Sequence, residues 1–351
     1  MASHSLVEDE ASSWKKRIRI SLVSPPPPPQ GGGRSRRHRS HCSRRSAARR
    51  HAFAMLRFSP AYSSPDTSDV AILRRVNNGP TLRSRSCTIR DVWASNLEEE
   101  FRTIAHLVQT HHYVAMDTEF PGVVVRPDDI ELQPPAYQYA MVRDNVNILR
   151  IIQLGLAFRD ENGNLAPNCS SWQFNFKFSL ETDDYAEDSI GLLIESGIQF
   201  KKHEEEGIDP NEFAQLCTVS GVVLSDSVRW LVFHGGFDFG YLLRLLTGQK
   251  LPEKESEFYE LLSIYFPAIY DVKYIMQSCP MLKGGLQQVA KALQVERVGR
   301  QHQAGSDSLL TGACFLQDPP GVLRRLHRRR LLLRTRGRAA WRRVRAVRQH
   351  A

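Results

Sequence analysis

Five side chains in this sequence have the type and spacing needed to hold divalent cations and to move a proton. Asp117 and Glu119 stand two apart at the end of a short apolar run, Tyr113 to Met116. On a strand, side chains at i and i+2 point to one face, so both carboxylates can converge on one spot. Two hard oxygen donors side by side repel each other unless a cation neutralises them, and Mg2+ or Mn2+ suits such donors. Read alone, a pair of this kind is more often a strand end entering a solvated turn. Asp238 follows the apolar run Trp230 to His234 and the doublet Gly235-Gly236. That places it near a helix start beside the carboxyl end of a strand, where α/β proteins put their sites. A helix-capping aspartate is the competing reading. Asp307 opens an apolar helix, and His302 precedes it by five residues, on the loop or first turn before that helix.

The elements that must position these groups follow from periodicity. Leu97, Phe101, Ile104, Ala105 and Val108 recur at helical spacing, with Asn96 as the expected cap and Glu98, Glu99 and Glu100 in the first turn, where the helix dipole favours negative charge. The carboxylate-bearing strand comes next. Ile148 to Phe158 is dense in branched apolar residues and predicts a strand buried on both faces. Trp172, Phe174, Phe176 and Phe178 alternate with polar positions, which predicts a half-buried strand whose aromatic stripe is core rather than a base-stacking platform. Residues 185–220 read as helical, with Pro210 near a helix start. Trp230 to His234 is a fourth strand, Phe237 to Leu246 a helix, and Ala268 to Asp271 a short fifth strand. Leu286, Val289, Ala290 and Leu293 mark a further helix. This order predicts an α/β domain with a mixed sheet flanked by helices. His234 and Phe237 are within reach of the site, although a histidine there is more often simply packed, and Asp271 reads as structural.

Charge is unevenly distributed. Between Ile89 and Gln317 there are 18 Lys+Arg against 32 Asp+Glu, a net of −14, whereas the flanks carry 29 basic and 6 acidic residues, a net of +23. The overall +9 therefore hides an acidic body, which excludes a simple basic nucleic-acid binder and implies weak affinity for bulk RNA. Residues 1–88 hold five consecutive prolines, a glycine triplet and an Arg/Ser/His block, a composition that cannot build a core. Residues 318–351 contain 12 arginines and no lysine, against eight lysines in the body. So abrupt a shift suggests a changed reading frame after about Gln317, with an arginine-rich RNA arm as the alternative. The expected organisation is a disordered basic tail over 1–88, a catalytic domain over 89–317 and an aberrant tail over 318–351. Six scattered cysteines without a CxxC pair argue against a zinc ribbon or disulfide framework. No apolar run approaches the ~18 residues of a membrane span. A soluble, intracellular protein with no membrane association is expected.

Together the segments VAMDTEFPGVV, ILRIIQLGLAF, WLVFHGGFDFGYLL, FPAIYDVKYIM and GRQHQAGSDSLLT resemble the DEDD exonuclease superfamily. The histidine five before the last aspartate is similar to that of its DEDDh branch. More narrowly, they resemble the CCR-associated-factor (Pop-type) deadenylase subunit of the CCR-NOT complex, from about Ile89 to Thr311. The resemblance implies an RNase H-like fold and 3′→5′ removal of poly(A) RNA by two divalent ions, Mg2+ or Mn2+. It also implies assembly with the CCR-NOT scaffold and a second deadenylase subunit, in cytoplasm and nucleus. It assigns metal-ligand roles to Asp117, Glu119, Asp238 and Asp307, Asp117 bridging both ions, and general-base duty to His302. The chain departs from the family after about Gln317, where a further helical stretch is expected and Pro-Pro and arginines stand instead. A DEDDh exonuclease on other nucleic acids, a non-catalytic adaptor with weakened metal binding, and an RNA-binding factor acting through its tails are the alternatives.

Overall fold

The computed structural model describes residues 88–127, 134–277, 279 and 282–316. The proposed tails, Thr88 apart, lie outside the described residues. Six strands make one sheet: β1 (Ile89–Val92), β2 (Tyr113–Glu119), β3 (Gln153–Arg159), β4 (Ser171–Asn175), β5 (Arg229–Val232) and β6 (Ile269–Asp271). Their spatial order is β1-β4-β3-β2-β5-β6. β3 runs antiparallel to β2 and β4, while the pairs β1–β4, β2–β5 and β5–β6 are parallel. Ten helices are described: α1 (Leu97–Leu107), α2 (Pro134–Ile148), α3 (Glu187–Ser196), α4 (Phe200–Glu206), α5 (Pro210–Val219), α6 (Gly236–Thr247), α7 (Glu255–Tyr265), α8 (Val272–Met276), α9 (Leu286–Ala292) and α10 (Ala304–Leu316). This is the mixed sheet flanked by helices that the pattern of elements predicts.

The period of two along the strands sorts side chains into two layers. Val114 and Met116 of β2, Leu154, Leu156 and Phe158 of β3, and Trp230 and Val232 of β5 join the larger core, with Phe101 of α1, Phe213 of α5 and Phe239 of α6. The opposite face carries Ala115, Ala157 and Leu231, which pack with Leu309, Leu310, Cys314 and Phe315 of α10. Each large apolar side chain of α10 contributes about 1.5–3 kcal/mol by leaving water. On β2 and β3 that second face presents the small residues Ala115, Gly155 and Ala157, on which α10, buried along its whole length, lies directly. A Cβ at Gly155 would collide with the backbone of Ala304 and lie 2.7 Å from the amide nitrogen of Gly305. One at Gly312 would come within 3.1 Å of the Ala115 Cβ. Glycine at both positions lets the helix seat at close range.

Several expectations need correction. The apolar stretch from Ile148 is not all strand: Ile148 ends α2 and pairing starts at Gln153. Helices α2 and α7 and the edge strand β1 were not foreseen, so β6 is the sixth strand rather than the fifth. The region 185–220 divides into three helices, broken at Gly197 (φ +100°) and again after Glu206. Pro210 does sit at the first turn of α5, behind Asp209, whose carboxylate accepts from the Asn211 amide at 2.7 Å. Asn96 does not cap α1 with its side chain; its Oδ1 instead accepts from the Trp93 amide at 2.8 Å. Strand β4 is buried on both faces, not half-buried. The aromatic stripe Trp172, Phe174, Phe176 and Phe178 is core, as expected.

Candidate active site

Asp117 and Glu119 share the face of β2 that carries Ala115, and thus face the layer of α10. In the antiparallel register Asp117 is opposite Gly155 and Glu119 opposite Gln153. The absent side chain at Gly155 is what admits the start of α10 there. Because β5 lies parallel to β2, both strands end on the same edge of the sheet. The chain then turns at Gly235 into α6, whose first turn holds Asp238. A buried hydroxyl ties the two segments together: Thr118 Oγ1 donates to Asp238 Oδ1 at 2.7 Å.

Asp307 enters from the first turn of α10, with both carboxylate oxygens engaged. Oδ2 accepts from the backbone amide of His302 at 3.0 Å, and Oδ1 pairs with Arg297 Nη1 at 2.6 Å. His302 has a left-handed backbone (φ +59°), an unfavourable state for a residue other than glycine. A buried polar network keeps it there. Ser196 Oγ donates to the His302 carbonyl at 2.9 Å, and Gln303 Nε2 donates to the Ser196 carbonyl at 3.2 Å. Gln303 Oε1 accepts from Gln153 Nε2 at 3.3 Å and from Gln173 Nε2 at 2.9 Å. Gln153 Oε1 in turn accepts from the Ala304 amide at 3.3 Å. The loop is therefore fixed by amides reaching up from β3 and β4.

Glu119, His302 and Asp307 bring one potential ligand atom each to within 4.8 Å of one another. Asp117 and Asp238 stand outside that trio, yet their charges act on it and on each other. Burial foremost, then the charges of Asp238, Asp307 and Glu119, hold the Asp117 carboxyl well above its ordinary range, with Arg297 opposing. Glu119 is raised likewise by burial, Asp307 and Asp238. Burial pushes Asp238 up to about 6, against the hydrogen bond from Thr118. A group of carboxylates this reluctant to ionise together binds protons tightly for lack of a stronger cation. Hard oxygens, crowded and of one sign, suit Mg2+ or Mn2+.

Of the remaining candidates, Asp271 is structural: its carboxylate accepts from the amides of His234, Gly235 and Tyr274 at 3.0, 3.2 and 3.2 Å. It thereby shapes the turn that presents Asp238. Phe237 stacks on Phe120, ring centroids 5.0 Å apart. Sequence reasoning missed Thr118, Gln153, Gly155, Ser196, Arg297 and Gln303. Gln153 and Gly155 carry a signal in retrospect, being an amide and a glycine set in an otherwise apolar run.

Carboxylates drawn from one strand and two helix starts, beside His302 on the loop before α10, have the chemistry to hold divalent ions, as in the class of nucleases that cleave phosphodiesters with such ions. The comparisons narrow it. The model of the CAF1 family ribonucleases matches residues 92–218 and 218–315, and the chain belongs to that family. It is 53% identical over 241 residues to the probable CCR4-associated factor 1 homolog 7 of Arabidopsis thaliana, covering 67% of this chain and 87% of that one. It is 50% identical over 236 residues to the poly(A) ribonuclease pop2 of Schizosaccharomyces pombe, covering 67% and 70%. Among solved structures, the S. pombe Pop2p with Mg2+ and Mn2+ bound superposes with a TM-score of 0.64 at 51% identity, over 65% of this chain and 91% of that one. CAF1 co-crystallised with the yeast NOT1 MIF4G domain gives 0.58 at 35% identity, over 68% and 91%. The RNase H-like architecture implied by the family resemblance stands.

Proposed function

We propose that this chain is a 3′→5′ poly(A)-specific exoribonuclease acting in mRNA turnover. What supports the reading is the juxtaposition of Glu119, His302 and Asp307, with ligand atoms within 4.8 Å of one another, and Asp117 and Asp238 close enough to act on that group by charge. Asp117, Glu119, Asp238 and Asp307 would hold two divalent cations, Mg2+ or Mn2+, Asp117 taking the bridging place by resemblance to the family. Bound there, such ions stabilise charge on the scissile phosphate and on the attacking and leaving oxygens. His302 takes the proton from the attacking water as its oxygen bonds to phosphorus. The bond from phosphorus to the 3′ oxygen then breaks, and that oxygen is protonated from solvent. Each cycle releases one nucleoside 5′-monophosphate and leaves a chain one residue shorter, with a free 3′-hydroxyl.

The relatives' names support the substrate: a poly(A) ribonuclease and a CCR4-associated factor are each at least 50% identical to this chain. The NOT1 MIF4G complex with CAF1 supports a scaffold partner of the same kind. A second deadenylase subunit follows by resemblance. The site of action is the cytoplasm, where such a complex meets mRNA, with the nucleus as a further location. The test is incubation of the purified full chain with an RNA carrying a 3′ A-tail in Mg2+ or Mn2+, beside Asp117→Ala. Stepwise shortening that halts at the tail, lost in the variant, is expected. A folded protein that leaves the tail intact would overturn the reading, and equal shortening of DNA would overturn the substrate.

A further inference from the structure

Arg297 lies between α9 and α10 and is absorbed by none of the roles above. Its side chain is 12% exposed, against an Asp307 side chain that is 11% exposed. Three partners fix it. Nε donates to Gln287 Oε1 of α9 at 2.6 Å, and Nη1 donates to Ser306 Oγ at 3.0 Å and to Asp307 Oδ1 at 2.6 Å. Ser306 is itself anchored, its hydroxyl donating to the Val298 carbonyl at 2.7 Å. The planar guanidinium thus joins α9 to the first turn of α10 through fixed points, which a flexible ammonium could not do.

We propose that Arg297 is a positioning residue for the carboxylate cluster, locking the rotamer of Asp307 so that the site is already shaped before a cation arrives. The proposal rests on the metal-dependent reading above. Asp307 has two tethers, the His302 amide on one oxygen and Arg297 on the other. Remove the second and the carboxylate can swing about its remaining bond. It can then turn away from Glu119 and Asp117, whose charges repel it. Groups that orient metal ligands from behind typically govern affinity or activity by about 10–100-fold. A guanidinium beside the site also repels an incoming cation, so its charge works in the opposite direction and the measurement decides.

The experiment titrates Mn2+ into the full chain and into Arg297→Gln, Arg297→Lys and the remote control Arg143→Gln. It follows bound Mn2+ by electron paramagnetic resonance, records melting in EDTA, and resolves kcat from KM on A-tailed RNA. Arg297→Gln should weaken Mn2+ binding about 10-fold and lower kcat while leaving KM for RNA unchanged. Arg297→Lys should recover part of the loss, and Arg143→Gln should match the wild type. If Arg297→Gln does not fold, the test passes to Arg297→Lys, which keeps the charge and should still lose affinity. Unchanged or tighter Mn2+ binding in the folded variants overturns the proposal, as does a loss confined to KM, which would make Arg297 an RNA contact. A wild-type chain that takes up no Mn2+ removes the underlying reading and the proposal with it, whereas wild-type binding matched by the variants removes the proposal alone.

Discussion

Gly155→Ala adds one methyl group at a residue that brings no side chain of its own to the site, yet it should nearly silence the site. Gly155 sits opposite Asp117 in the β2–β3 register, and the start of α10 rests on it. The added Cβ would fall 2.7 Å from the amide nitrogen of Gly305 and closer still to the backbone of Ala304. Ordinary carbon contacts are about 3.5–4.0 Å, so the first turn of α10 must recede by about 1.5 Å. Neither backbone can yield as a flexible side chain would: β3 is buried on both faces and α10 along its whole length. Overpacking of this kind costs about 1–3 kcal/mol, a melting shift of roughly 2–12 °C for a domain of this size. The larger effect is on catalysis, because Asp307 and His302 move with that turn. A displacement of about 1 Å in a reacting array costs on the order of 100-fold in rate. Melting curves and single-turnover shortening of an A-tailed RNA, run on the same preparation, measure both effects. A Gly155→Ala variant with wild-type kcat would show that Asp307 need not be held at its present distance from Asp117, and the geometric reasoning would fail with it.

Thr118→Val preserves shape but removes the hydroxyl that donates to Asp238 Oδ1 at 2.7 Å. The Mg2+ concentration giving half-maximal activity should rise about 10-fold, with little change in KM for RNA; titration of activity against Mg2+ reads this directly. The cluster also predicts a pH dependence of stability when cations are stripped with EDTA. The folded pKa values of Asp117, Glu119 and Asp238 lie above those of the unfolded chain. Their stabilising contribution is therefore present at acid pH, below the unfolded values, and is lost as pH rises, for Asp238 through about 6. Buried His203, pushed down to about 4, works the other way and destabilises as pH falls toward that value. The difference in melting temperature between wild type and Asp238→Asn isolates the carboxylate. The wild type should lose ground to the variant between pH 4 and 7 in EDTA, and saturating Mg2+ at pH 7 should reverse the loss. A difference that stays flat with pH would show that Asp238 is not raised.

Only the pair Asp117 and Glu119 was legible from periodicity, which puts both on one face of a strand; each acid alone had a competing reading, and it was the family resemblance that joined them to Asp238, His302 and Asp307. What supports them was much less legible. In β4, the alternation of Trp172 and Phe174 with Gln173 and Asn175 suggests a face open to water. The amides face a buried network instead, Gln173 reaching Asp91 and Gln303, and Asn175 reaching Asp91 and the Val92 carbonyl. Period two reports a change of polarity and cannot tell solvent from a satisfied interior. Helix α2 is hard to read because it opens on Pro134-Pro135, a breaker signal, although proline is tolerated in a first turn. It also buries an asparagine, Asn145, whose side chain holds the Val124 and Val125 amides at 2.8 and 2.9 Å. Arg297 looks like any charged residue in a polar stretch, and only the packing of α9 against α10 reveals its partner.

The acidic body raises a question that the cluster itself answers: how a domain with a net charge of −14 over residues 89–317 can take hold of RNA. Once cations are bound, four ionised carboxylates would meet at the site, and Arg297 returns a single positive charge, already committed to Asp307. The other groups bonded to them are neutral: a threonine hydroxyl on Asp238 and a backbone amide on Asp307. A lysine in place of Thr118 would offset part of the charge permanently. With two divalent cations bound, as proposed, the site carries one net positive charge, and a single phosphodiester brings it to neutrality. The polyanion is thus attracted at the place of cleavage and repelled elsewhere on the domain. That arrangement favours a substrate presented end-on, which is what stepwise removal from a 3′ terminus requires.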